Sequence, residues 1–209
     1  MLVKRVRLHD ANQKADRGRR VREIPFFLTL CLILTLALSI LTPRPSSAKD
    51  THLIGLGPRI GIGGDSPLGE EQQEDFYLYD VAATFGLPWS WRNGSSWGLE
   101  TRLIASAGQL MGAGETGFIG TLVPGIALDI EHWGIAIDIG LGAGLFSDYT
   151  FGVQNFGGPF QLVGNTGICF RLYHPFVAGY RFQHFSDAAI YGDGTLGADM
   201  HLLELRYRF

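Results

Sequence analysis

From residue 53 to its end the chain alternates with a period of two, and it does so in eight separate stretches. They lie near 53–63, 76–86, 96–107, 117–130, 135–147, 159–172, 175–186 and 198–209. A period of two sends successive side chains to opposite faces of an extended strand, so these stretches predict strands and not amphipathic helices. In 159–172, Phe160, Leu162, Gly164, Thr166, Ile168, Phe170 and Leu172 alternate with Gln161, Val163, Asn165, Gly167, Cys169 and Arg171. In 135–147, Ile135, Ile137, Ile139, Leu141, Ala143 and Leu145 oppose Ala136, Asp138, Gly140, Gly142 and Gly144.

A soluble sandwich also alternates, with its apolar set turned inward. Here the second set decides against one. It mixes glycine with Arg59, Asp80, Glu100, Arg102, Asp138, Arg171, Arg181, Glu204, Arg206 and Arg208. Small residues and opposite charges suit the crowded inside of a small barrel whose apolar set faces lipid. A closed barrel is also one of two ways to satisfy every backbone group in a bilayer. The expected fold is all-β, an eight-stranded antiparallel transmembrane β-barrel. Connections after the first, third, fifth and seventh stretches are read as long, roughly nine to twelve residues, while "EHWG" and "YHP" are short. Long loops on one rim and short turns on the other are the pattern of the bacterial outer membrane. The ending "LELRYRF" resembles the C-terminal signal of such barrels. "GLGPRIGIGG" (55–64) is not a phosphate loop, because neither a Lys-Ser/Thr pair nor a helical pattern follows it.

Residues 1–48 stand apart from this pattern. A basic stretch is followed by "IPFFLTLCLILTLALSILT" (24–42) and then by small residues at Ser46 and Ala48. That order reads as a secretory signal cleaved after Ala48, leaving a barrel domain at 49–209; the apolar run is also long enough for an uncleaved anchor. Nine of the 17 basic residues and three of the 20 acidic ones fall within 1–48, so 49–209 carries eight basic against 17 acidic residues, a net of −9. Such a chain lacks the basic footprint of a nucleic-acid binder. Its single cysteine, Cys169, rules out an internal disulfide framework, and no Cys/His metal spacing occurs.

The polar residues that break the alternation gather near the end. In "QHFSDAAI" (183–190), His184 and Ser186 share parity with Phe176, Ala178, Tyr180 and Phe182, so both are expected on the lipid-facing side at the outer rim. Asp199 shares parity with His201, Leu203 and Leu205 on the next strand, whereas Glu204 points inward. Antiparallel pairing brings the end of one strand to the start of the other, and so gathers His184, Ser186 and Asp199. Serine is a weak nucleophile until a base takes its proton, and the base needs an acid to hold its tautomer. Polar residues are also ordinary at a barrel rim.

"GYRFQHFSDAAIYGDGTLGAD", running into the terminal strand, resembles the PagL-type lipid A 3-O-deacylases. Those are eight-stranded outer-membrane barrels with a His-x-Ser-Asn motif, a Gly-containing loop and a later acid. The resemblance is clearest over 176–209. It implies Ser186 as nucleophile, His184 as general base and Asp199 as orienting acid, with Asp193 as a competitor for the last role. It implies an esterase that removes the 3-O-linked hydroxyacyl chain of lipid A, without metal or other cofactor. Its partner is then membrane-embedded lipopolysaccharide, and a homodimer is one assembly this reading allows. This chain has Asp187 where the family commonly has Asn. An ionised carboxylate cannot donate to an oxyanion, so backbone N–H groups in the 188–194 loop would have to serve. Two other functions are open at this point: a structural or adhesion barrel using the acidic "GEEQQED" (69–75), and a barrel esterase acting on phospholipids.

Overall fold

The computed structural model describes residues 50–64, 72–93, 96–192 and 195–209. The expected leader 1–48, part of the acidic stretch 69–75 and Asp193 lie outside the described residues. Eight strands close into an antiparallel barrel: β1 (His52–Gly63), β2 (Phe76–Asn93), β3 (Trp97–Gly112), β4 (Glu115–Ile130), β5 (Ile135–Phe146), β8 (Phe160–Arg171), β9 (Phe176–Ser186) and β10 (Ala198–Arg208). Between β5 and β8 lies a small hairpin of β6 (Thr150–Phe151) and β7 (Gln154–Asn155). Pairing of β1 with β10, through Leu56 opposite Tyr207 and Ile62 opposite His201, removes every edge.

The expected long connection after the third strand is absent. Gly112 of β3 pairs with Glu115 of β4 across a two-residue turn, Ala113-Gly114, whose φ values of 50° and 78° are both left-handed. Such turns match the twist of the strands they join. The glycines that suggested a loop serve the sheet instead. A Cβ on Gly108 would run into the carbonyl oxygen of Tyr79 on β2, so only glycine allows the strands this approach. At its other end β2 runs on to Asn93 past Pro88, because the β2–β3 register shifts between Gly86 and Ser90 and frees the proline from the ladder.

The outward set is apolar as expected. Ile60, Ile62, Leu122, Ile139, Leu141, Leu145 and Leu203 are all exposed, as suits contact with lipid. All four tryptophans, Trp89, Trp91, Trp97 and Trp133, are exposed near the short-turn rim, where indole rings favour the membrane interface.

The inward set departs from expectation in one respect. Only the half nearer the short turns is small and charged. There Arg59 pairs with Asp80 directly across from it, and Arg181 joins Asp138 and Glu204, all buried. The half nearer the long loops is a dry apolar core containing Phe76, Leu110, Ile119, Phe146, Val163, Phe185 and Met200. The β6–β7 hairpin closes it by inserting Phe151 and Phe156, both fully buried. Phe156 lies 5.6 Å from Phe76 and 5.2 Å from Phe146, ring to ring. Each such pair contributes about 0.5–1.5 kcal/mol beyond the burial of its area. The barrel therefore has a stiff upper end, and β9 and β10 emerge from it beside one another.

Candidate active site

β9 ends at Ser186 and β10 begins at Ala198, and their register sets His184 opposite Asp199. Directly opposed side chains on one face are neighbours. Here they bond: His184 Nδ1 lies 2.6 Å from Asp199 Oδ1. With the carboxylate accepting, Nδ1 donates and Nε2 is the ring nitrogen left open. The imidazole is partly exposed, at 19%, while the Asp199 carboxylate is 1% exposed. Asp199 Oδ2 has no partner among the described residues.

Asp199 is held through its backbone as well. Its N–H donates to Gln72 Oε1 at 3.3 Å, and its carbonyl accepts from Gly64 N–H at 3.2 Å. Both ends of the β1–β2 connection thus grip the start of β10.

Ser186 lies two residues from His184 on the same face, about 6.8 Å along the strand. Its Oγ accepts the N–H of Ala188 at 3.1 Å. Ala188 and Ala189 both have left-handed backbones, with φ of 51° and 61°. Each such residue costs on the order of 1–3 kcal/mol and persists only where surrounding bonds enforce it. Asp187 is the enforcer. Its carboxylate accepts the N–H of Ala189 at 3.0 Å and that of Tyr191 at 3.1 Å, and its carbonyl accepts Ile190 N–H at 3.0 Å. Both oxygens of Asp187 are therefore occupied in capping the turn. An amide at this position has one oxygen to offer, so the acid is the better cap.

The loop that follows is moored to its neighbours. Tyr191 packs over Gly158, where a Cβ would strike its ring, and its hydroxyl accepts Phe160 N–H at 3.2 Å. Gln154 on β7 donates to Gly197 O and accepts from Gln73 N–H, both at 2.8 Å, and is fully buried. It joins three loops around the mouth.

Of the expected residues, His184 and Asp199 meet directly; Ser186, the last residue of β9, lies on the same face, but its Oγ is bonded to Ala188 N–H and not to His184. Glu204 points inward, as parity requires, and lies 2.5 Å from Arg181 Nε. The sequence reading missed Gln72 and Gln154, and also the β6–β7 hairpin. "TFGVQN", with Gly152 between two short β-prone runs, was the available hairpin signal. "DAAI", an aspartate ahead of small residues, signals an Asx turn.

The family comparison decides what kind of barrel this is. The sequence pattern of the family described as lipid A 3-O-deacylase (PagL) matches residues 77–208, more than half of the chain. The chain belongs to the PagL lipid A 3-O-deacylase family. As a PagL-family barrel it is a protein of the bacterial outer membrane. Among solved structures, the outer membrane enzyme PagL matches with a TM-score of 0.61 at 19% identity, over 74% of this chain and 99% of that one. Yersinia pestis Ail in a phospholipid nanodisc gives a TM-score of 0.39 at 15% identity, over 73% and 99% of the two chains. OprG from Pseudomonas aeruginosa gives 0.32 at 13%, over 78% and 98%. No curated protein sequence matches this chain.

Proposed function

We propose that this barrel hydrolyses the ester linking the 3-O hydroxyacyl chain to lipid A, with Ser186 as nucleophile, His184 as general base and Asp199 as the acid that orients it. The observation that carries the reading is the bond between His184 Nδ1 and Asp199 Oδ1 on the lipid-facing side of the rim. That bond directs Nε2 to the task of base. A lipid-facing site beside the long loops suits a substrate anchored in the outer leaflet.

In the first half-reaction Ser186 Oγ attacks the ester carbonyl carbon, and its proton passes to His184 Nε2. Asp199 stabilises the resulting imidazolium. Negative charge gathers on the carbonyl oxygen. The Ala188 N–H, which donates to Oγ in this structure, would turn to the carbonyl oxygen as the tetrahedral centre forms, and Asp187 holds the turn that carries it. The C–O bond to the sugar then breaks, and His184 returns the proton to the departing 3-hydroxyl. In the second half-reaction water, deprotonated by His184, attacks the acyl-serine. Ser186 regains its proton, and a 3-hydroxy fatty acid leaves.

The test uses the purified folded barrel with lipid A, read by mass spectrometry. Loss of one hydroxyacyl group is expected from the native protein and not from Ser186→Ala. Intact lipid A, or equal loss in the variant, would overturn the proposal. Release of fatty acid from phospholipid vesicles with lipid A untouched would assign the same site to a different ester.

A further inference from the structure

The short-turn end of the barrel contains a cavity that the proposed chemistry does not use. It has a volume of about 160 Å³ and lies at the opposite end from the His184–Asp199 pair. Five of the eight arginine and lysine residues in 49–209 line it: Arg92, Arg102, Arg171, Arg206 and Arg208. In a segment whose net charge is −9, this concentration of positive charge in one enclosed mouth is out of proportion.

The carboxylates of the lining do not neutralise it. Glu131 lies 2.8 Å from Arg92 Nη1, and Glu100 and Asp129 hold Arg102 at 2.5 and 2.6 Å. All three lining acidic side chains are thereby committed to two of the arginines; the terminal carboxylate of Phe209 also lies at this mouth and forms no ion pair among the described residues. Arg171 and Arg208, at the exposed rim, have no ion pair among the described residues. Arg206 is set deeper, with its side chain 5% exposed. Its Nη1 donates to Thr84 Oγ1 at 2.8 Å and lies 3.4 Å from Glu204, and its Nε is buried with no partner among the described residues. Arginine's planar fork matches the paired oxygens of phosphate and carboxylate, and low-dielectric walls focus the field of the cluster on the opening.

We infer that this mouth binds a small water-borne oxyanion of phosphate size, held by Arg171 and Arg208 at the rim, with the charge of Arg206 behind them. In an outer-membrane barrel the short-turn end faces the periplasm, so the ligand would come from that side. The volume admits one such anion with a few waters and excludes a lipid together with its acyl chains.

The test titrates inorganic phosphate into the detergent-solubilised barrel at constant ionic strength set with chloride, read by calorimetry. The Ser186→Ala protein serves as a parallel host, so that binding is measured apart from hydrolysis. One saturable phosphate per barrel is expected in both. Arg171→Ala and Arg208→Ala should each weaken binding about tenfold, and the Lys replacements, which keep charge but lose the fork, less so. Heat-modified gel mobility reports whether each variant is folded, and Arg171→Lys gives a folded comparison if the alanine variant fails. Absence of saturation, full suppression by chloride at equal ionic strength, or binding unchanged in the folded rim variants would overturn the inference.

Discussion

β9 and β10 carry two charged pairs, one on each face of the same ladder. Inside the barrel Arg181 meets Glu204 at 2.5 Å and Asp138 at 2.6 Å, and the side chains are at most 4% exposed. Outside, His184 meets Asp199 at 2.6 Å, with the imidazole partly open and one carboxylate oxygen without a partner among the described residues. The inner pair couples three strands through an always-charged guanidinium, which has no proton to exchange. The outer pair couples a titratable ring to an acid and leaves its second nitrogen for other work. Strand parity separates the two carboxylates: Glu204 and Asp199 lie five residues apart and face opposite ways, one into the barrel and one toward the proposed site.

That contrast can be broken most sharply at Ser186. Replacing it with alanine should lower the rate of lipid A deacylation by at least about 10⁴-fold while leaving heat-modified mobility unchanged. Asp199→Asn should lower the turnover rate by about 10² to 10⁴-fold, because the amide no longer enforces the working tautomer. Glu204→Gln, on the other face, should leave turnover within about threefold, since effects at separated sites are independent. Arg181→Met should reverse the pattern. It strands Asp138 and Glu204 in the interior and should cost about 3–5 kcal/mol in urea unfolding from lipid vesicles, with turnover of the folded fraction close to native. Asp187→Asn is the mildest change. Losing one of its two capping bonds should cost about 0.5–1.5 kcal/mol and reduce activity by less than about tenfold, measured by the same lipid A assay.

Alternation alone carried the eight strands, their outward set, and the opposite facing of Asp199 and Glu204, because a strand cannot shift by one residue without inverting both faces. The two-residue Ala113-Gly114 turn was not legible in the same way. Glycine at 108 and 112 reads equally as loop or as a strand pressed against its neighbour, and only the position of Tyr79 separates the two. The apolar upper interior was hidden because Phe76, Phe146 and Phe185 share parity with charged residues further down their strands. Their common depth appears only when the strands are set side by side. The roles of Gln72 and Gln154 depend on partners as distant as 127 and 81 residues along the chain, which no local pattern encodes. Asp187 stood out against the family's Asn as a departure in oxyanion chemistry. In the structure its carboxylate caps the left-handed turn beside Ser186.

The most direct test of the account is covalent. A serine-directed fluorophosphonate should add one label to the folded barrel, on the peptide carrying Ser186. Labelling should slow sharply in His184→Ala and Asp199→Asn and proceed normally in Glu204→Gln. A label on another residue, or one that reaches Ser186 equally fast without His184, would contradict it.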